Sequence, residues 1–397
     1  MTRSRQITLF GLAIGFFWFS QYVYVPVFPA YAREMGISYE MLGIILGSYG
    51  FTQMLLRIPL GIWSDTINKR RQFVVAGVAV SVASSLGMWL FPSEMGLLVF
   101  RALSGVAAAT WVIHTVTFAS LFQPDEATKA MGIVNAILNL AQVLAMFAGG
   151  LIATHFSQEY TFLVAAAGGV IGIALSFAAP EPEEHKRPAL TLSGLLAMAK
   201  QRNLMIASLL GFCIQVLTYG GVFGFTPIAA RQIGASNFEL GLLQTLFMLP
   251  GIIASTLSGA YFANRFGERF SIAASFVATG AAYAIIPSLS GIYGLYLSQA
   301  LGGFARGVIF PLLMGLSIRG VASHQRASAM GMYQAIYGLG MFLGPVLVGI
   351  ISDRAGLAWG FWLMGAFGVG SAIVAVMQLT ERKVAMDRTN VSARKTE

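Results

Sequence analysis

The chain is short of charge. Asp, Glu, Lys and Arg make up 10% of its 397 residues, against 56% hydrophobic residues. Soluble domains carry about a quarter charged residues, so a large soluble enzyme is excluded. One cysteine, Cys213, lies inside an apolar run, which leaves neither a disulfide framework nor a thiolate metal cluster. No G-x-x-x-x-G-K-[ST] loop is present to cradle a nucleotide phosphate. No cluster of His, Asp, Glu or Cys gathers near one membrane face, as an integral-membrane enzyme would need. Carboxylates are missing from the depth of every apolar run, and all sixteen acids fall in loops, tails or run ends. The expectation is therefore no metal, no cofactor and no enzymatic chemistry.

What the chain does have is apolar length. Hydrophobic windows fall at roughly 7–31, 41–63, 73–91, 95–120, 130–154, 160–179, 204–228, 238–262, 271–289, 292–318, 328–352 and 357–379. About 20 apolar residues suffice to cross a bilayer, so the windows predict an all-α membrane protein of twelve spans. Forty-five glycines suit that class, because small residues let helices approach closely in lipid. The first window runs past the length of a signal-peptide core without an A-x-A-like site, and reads as a retained span.

An even number of spans puts both termini on one side. Placing that side in the cytoplasm leaves nineteen Lys and Arg inside and only Arg33, Arg231 and Arg354 outside. The positive-inside rule favours this orientation, in a cell membrane with cytoplasmic termini. The net charge of +9 is then topology rather than a nucleic-acid patch.

The chain is also internally repeated. Pro29, Ala32, Arg33, Gly36, Ser38, Leu42 and Gly43 recur 198 positions later as Pro227, Ala230, Arg231, Gly234, Ser236, Leu240 and Gly241. Ala130, Met131, Gly132, Ala136, Ile137 and Leu140 recur at an offset of 199, and RALSG (101–105) aligns with QALGG (299–303). Two six-helix halves in parallel duplication follow, at 1–179 and 204–379. A Pro-rich, mixed-charge linker at 180–203, with room for a short surface helix, and a tail at 380–397 complete the division.

Two six-span halves, a cytoplasmic linker and the loop GIWSDTINKRR between spans two and three resemble the major facilitator superfamily. Gly61, Asp65, Lys69, Arg70 and Arg71 match its G-x-L-a-D-r-x-G-r-r signature, with Trp63 in place of Leu and Asn68 in place of Gly. A weaker second copy, AYFANRFGER (260–269), has Asn264 where the acid would stand. Arg101 and Gly105 match the family's R-x-x-x-G in span four. The resemblance covers the whole chain and implies a secondary transporter working by alternating access. At the end of span two, Asp65 can face the positive N-terminal end of span eleven. The loop then acts as a latch favouring the outward-open state, or its bases serve only as topology markers.

Three bases, Arg57, Arg101 and Arg306, lie within spans. A charged side chain there costs at least about 2.5–3.5 kcal/mol and normally faces a cavity or a partner. Arg306 shares a helical face with Gln299, Gly302, Gly303 and Phe310. Candidate lining residues are Gln21 and Tyr24 on span one and Asn135, Asn139 and Gln142 on span five. Gln215 and Tyr219 on span seven, Gln334 and Tyr337 on span eleven, and Trp111 complete the set. For all of these, hydrogen bonding between helices is the alternative to ligand contact. His114, the only histidine well within a span, is a candidate proton carrier, with a packed histidine as the alternative. Helical geometry places it about 140° around the axis from Arg101. The implied activity is export of an anionic or zwitterionic amphipathic solute by a monomer, with H+ as coupling ion and a metabolite, a metal-chelating acid or a drug as candidate substrates. Uptake of an organic acid or nutrient, transport of a lipid-linked substrate, and a sensor without transport remain the competing readings.

Overall fold

The computed structural model describes residues 3–67, 69–123, 126–177, 198–322 and 325–379. Most of the 180–203 linker and the whole 380–397 tail lie outside these residues, as does the side chain of Asp65. The described residues form helices and no strands. Eleven helices are long and apolar enough to cross a membrane. The twelfth span is the first helix, Arg3–Tyr22, whose polar start RSRQ lowers its mean hydropathy but whose Phe10, Ile14 and Phe17 are fully buried among its neighbours.

Several windows that read as single runs are broken. Span one stops at Tyr22, turns, and resumes as Phe28–Glu34. Span seven runs Arg202–Gly220, loosens into a π-helical turn over Gly221–Phe225, and resumes as Thr226–Gln232. The matching breaks have a shared cause: Pro29 and Pro227 lack the N–H that would continue the ladder, and each sits where a helix restarts. Span five uses the break in span one. A Cβ on Gly149 would lie 1.8 Å from Val23 O, so only glycine allows that approach. Span four breaks at Thr110, between Glu94–Ala109 and Trp111–Ala119, where the threonine side chain seats on Gly77 of span three.

The other spans are continuous across most of their length. Spans two, three, five and six are Tyr39–Ile67, Arg70–Leu90, Ala127–His155 and Tyr160–Phe177. Span eight is Asn237–Leu257, loosening into a π-turn over Ser258–Ala263, and span nine is Glu268–Ala284. Spans ten, eleven and twelve are Ile292–Ser317, Arg326–Ala355 and Leu357–Gln378.

The halves meet through span two on span eleven and span five on span eight. At one end, here called the far end, their backbones touch. A Cβ on Gly43 would sit 2.4 Å from Pro345 O, and one on Gly349 would sit 2.5 Å from Tyr39 O. Gly150 and Gly241 face each other as closely, with an added Cβ on either within 2.9 Å of the other's Cα. Polar groups seal the same end. Arg231 Nε donates to Glu34 across the halves at 2.9 Å, and Gln158 Nε2 donates to the second Glu34 oxygen at 3.0 Å. Asn237 Nδ2 donates to Ala153 O at 2.8 Å, and Tyr39 N donates to Asp353 Oδ1 at 3.0 Å.

At the opposite end, which carries Arg3, Lys69–Arg71 and Arg319, the halves part. A Cβ on Gly132 of span five or Gly259 of span eight would meet nothing within 4 Å. Gly61 has only Val112, from its own half, at 3.7 Å. Among the described residues, Arg3 and Lys129 pair with Glu126, and Arg319 pairs with Glu268, so each of these basic-end ion pairs stays inside one half. The fold is thus closed at the far end and open towards the basic end.

Candidate functional site

The residues that face each other across the halves differ between the two sides. Counting 1.5 Å per residue, Arg57 lies about 27 Å along span two from its far end, and Arg306 about 21 Å along span ten. The two arginines therefore sit at comparable depth on opposite halves. Arg57 Nη1 crosses to span eleven and donates to Gln334 Oε1 at 3.0 Å and to Tyr337 OH at 3.2 Å. Arg306 lies with its Cζ 5.3 Å from the centroid of the Phe310 ring. Phe310 in turn contacts Tyr333 and Tyr337, with ring centroids at 6.4 and 5.9 Å. One aromatic platform thus carries a guanidinium on each side.

Donors exceed acceptors around this platform. The Nε atoms of Arg57 and Arg306 and the hydroxyl of Tyr333 are buried without a hydrogen-bond partner. Because Tyr337 OH accepts from Arg57, its own proton remains free to donate. Among the described residues no carboxylate is bonded to either guanidinium. Cation–π contact with Phe310 offsets only about 0.5–2 kcal/mol of what burying Arg306 costs. An anion placed here would find charged donors of the kind that bind carboxylate or phosphate in bidentate fashion.

Arg101 has a different setting. It is buried, donates to Tyr24 OH at 2.8 Å, and lies over the Tyr49 ring at 4.4 Å, with Tyr24 and Phe28 close by. Tyr24 OH pairs with Ser104 Oγ at 3.0 Å, and Ser104 Oγ donates to Gln21 Oε1 at 2.6 Å. The R-x-x-x-G spacing now has a physical reason. A Cβ on Gly105 would lie 2.2 Å from Tyr49 O, so glycine lets span two come close enough to place the Tyr49 ring beneath Arg101. Tyr49 then stacks on Tyr219 of the other half at 6.3 Å. Gln21, Tyr24 and Arg101 form one network inside the N-terminal half, in which Arg101 Nε, like those of Arg57 and Arg306, is buried without a hydrogen-bond partner.

His114 lies on the second segment of span four, past the break at Thr110, in an aromatic setting of its own. Its ring stacks on Phe17 at 4.7 Å and also faces Phe10 and Trp111. Nδ1 lies 3.0 Å from Thr110 O, which puts the proton on Nδ1 and leaves Nε2 a buried acceptor without a donor. Trp111 packs edge-on to Trp18.

The remaining candidates scatter. Asn135 is exposed and gives its amide to Met131 O, one turn back on its own helix. Asn139 is half-buried, while Gln142 and Gln215 are buried. Gln299 is buried and donates to Ser298 Oγ at 3.3 Å. Of the loop residues, Lys69 is exposed, Arg71 stacks on Phe177 of span six, and Arg70 is buried. Several participants escape a reading of the sequence: Ser104, Tyr49, Tyr333, and a pair on the π-turn of span seven. There Val222 N donates to Tyr283 OH and Gln244 Nε2 donates to Val222 O, which satisfies the loosened backbone close to Arg306.

The sequence profile of the Major Facilitator Superfamily matches residues 10–229 and again 208–395. The chain belongs to that superfamily. Among curated members, an uncharacterised MFS-type transporter of Methanocaldococcus jannaschii is 21% identical over 363 residues, covering 89% of this chain and 93% of that protein. The class B tetracycline resistance protein of Escherichia coli is 23% identical over 358 residues, covering 85% and 86%. Among solved structures, a point mutant of the nucleoside transporter NupG superposes with a TM-score of 0.79 at 15% identity, covering 96% of this chain and all of that one. The twelve-helix fold of the superfamily is therefore that of this multi-pass membrane protein, and its relatives are transporters rather than enzymes.

Proposed function

We propose that the protein is a secondary active transporter that moves an amphipathic organic anion or zwitterion, bound between Arg57 and Arg306. The observation that carries this reading is the cluster on Phe310, where two guanidiniums and two phenols come together from both halves with no carboxylate bonded to either guanidinium among the described residues. A guanidinium stays charged in a span, so neutralisation falls to the ligand. The aromatic platform suits an apolar body, and Gln334 and Tyr337 suit its polar edge. A cationic ligand would meet repulsion in a weakly screened cavity.

The proposed orientation places the basic end in the cytoplasm and the far end outside, which makes the state described above inward-facing. Export is the favoured direction, by likeness to a resistance protein, and H+ is the proposed coupling ion, with a single chain as the working unit. Proton transfer through His114 requires water to reach Nε2, which the stacked Phe10, Phe17 and Trp111 rings now cover. Reconstitution into proteoliposomes tests the reading. Matched anionic and cationic amphipathic dyes are offered under a pH gradient, and saturable movement of the anions is expected. Transport confined to cations would overturn the substrate class, and no flux of any solute would favour a sensor.

A further inference from the structure

Span two ends in Gly61-Ile62-Trp63-Ser64-Asp65, and span eleven ends in Gly349-Ile350-Ile351-Ser352-Asp353. The same G-I-x-S-D order thus closes two helices that pack together in opposite directions, one copy at each end of the pair. At the far end the span-eleven copy is engaged. Gly349 sits against Tyr39 O and against Gly43, whose Cα would lie 3.1 Å from an added Cβ. One turn further on, Asp353 Oδ1 accepts from Tyr39 N, the first residue of the span-two helix, at 3.0 Å. A carboxylate there satisfies an N–H that the helix leaves orphaned and faces the positive end of its dipole. Tyr39 is also the meeting point of the far-end seal. Arg33 lies over its ring at 3.9 Å, and Gln232 of the other half donates to its hydroxyl at 3.3 Å.

At the basic end the glycine of the span-two copy is clear of span eleven, since a Cβ on Gly61 would meet only Val112 of its own half within 4 Å. The second helix pair follows the same rule: Gly150 and Gly241 are locked at the far end, while Gly132 and Gly259 face open space at the basic end. Glycines near the helix ends therefore report which gate is shut.

We propose that Asp353 is a conformational positioning residue for transport, holding the far end shut by capping span two and releasing it when that end opens. This rests on the alternating-access reading above. It differs from a general stabilising contact because it links the halves in one state only. Capping requires Asp353 and Tyr39 N to be in register, which depends on the Gly349–Gly43 contact one turn away. When the far end opens, Tyr39 N must exchange the carboxylate for water.

The test uses the full-length protein in nanodiscs, with Cys213→Ala and spin labels at Glu94→Cys and Tyr293→Cys. Both are exposed far-end positions, one on each half, outside the contacts described. Pulsed dipolar spectroscopy then reads the ratio of open to closed far-end distances. Asp353→Ala is expected to raise that ratio by about two- to fivefold, the scale of an exposed charge at a helix N-terminus. Asp353→Asn, which keeps an acceptor oxygen but loses the charge, should fall between wild type and alanine. The sequence counterpart Asp65→Ala should move the ratio the opposite way, whereas mere loss of packing would move both variants alike. An unchanged ratio in a thermally intact Asp353→Ala protein, or a shift towards closed, overturns the proposal. If the wild type itself shows a single far-end distance under all conditions and carries no flux, the transport reading fails instead.

Discussion

Replacing Arg306 by Gln removes the charge and the guanidinium fork while keeping most of the side-chain volume and one amide donor. In the structure this guanidinium has the Phe310 ring as its neighbour at 5.3 Å, an unpartnered Nε, and no bonded carboxylate among the described residues. An anion bound there would supply its missing acceptor. A hydrogen bond to a charged group is worth about 1.5–3 kcal/mol, so Arg306→Gln should weaken an anionic amphipathic ligand by roughly 10- to 150-fold. Arg306→Lys should recover part of this, because the ammonium keeps the charge but cannot present two parallel donors. Isothermal titration of the purified protein with an anionic ligand and its neutral amide separates charge from shape, and the neutral compound should lose little between wild type and variant. Equal anion affinity in wild type and Arg306→Gln would refute the reasoning and assign Arg306 to helix packing.

Further outcomes follow from the same geometry. His114→Gln should leave ligand affinity intact and lower pH-driven accumulation if the ring carries the coupling proton; full accumulation in that variant, measured in proteoliposomes, removes His114 from the proton route. Gly349→Val should disrupt the far end, because even a Cβ would fall 2.5 Å from Tyr39 O, and cysteine labelling of far-end positions should then rise. Arg101→Gln should destabilise the N-terminal half, seen as a lower melting temperature, with a smaller effect on anion affinity than Arg306→Gln. Outside the spans, hydrogen bonds from Arg3, the Gln123 backbone N–H and Lys129 lower the Glu126 carboxyl to about 2. Its contacts should persist as pH falls past the ordinary carboxylate range and be lost only near that value, which titration monitored by carboxyl infrared bands would follow.

Much of the architecture was legible because duplication and span length leave direct traces. The Pro29–Gly43 repeat predicted matching segments, and Arg33 and Arg231 indeed make matching bonds, Arg33 to Ile37 O and Arg231 Nη1 to Ala235 O at 2.7 Å. The helix breaks were less visible, since apolar residues run through Tyr22–Phe28 and Gly220–Phe225 without a change in hydropathy. The site was legible in part. Arg57 and Arg306 stood out by charge, and Gln334 and Tyr337 by polarity, but their convergence depends on how the halves pack. Tyr333 was hidden because a phenol in an apolar run reads as core. Arg231 read only as an outside charge, although its partner Glu34 lies 197 positions away. Such pairings depend on how the two halves pack, and local sequence carries no record of that packing.

The central claim is that an organic anion occupies the space between Arg57 and Arg306. An electron cryo-microscopy map of the protein with a transported anion bound tests it most directly. The account predicts density for the acidic group within hydrogen-bond distance of the Arg306 guanidinium, with the apolar body on Phe310 and Tyr337 and the Arg57 side chain turned towards it. Ligand density elsewhere, for example against Trp18 and Trp111 with Arg57 and Arg306 untouched, would contradict it.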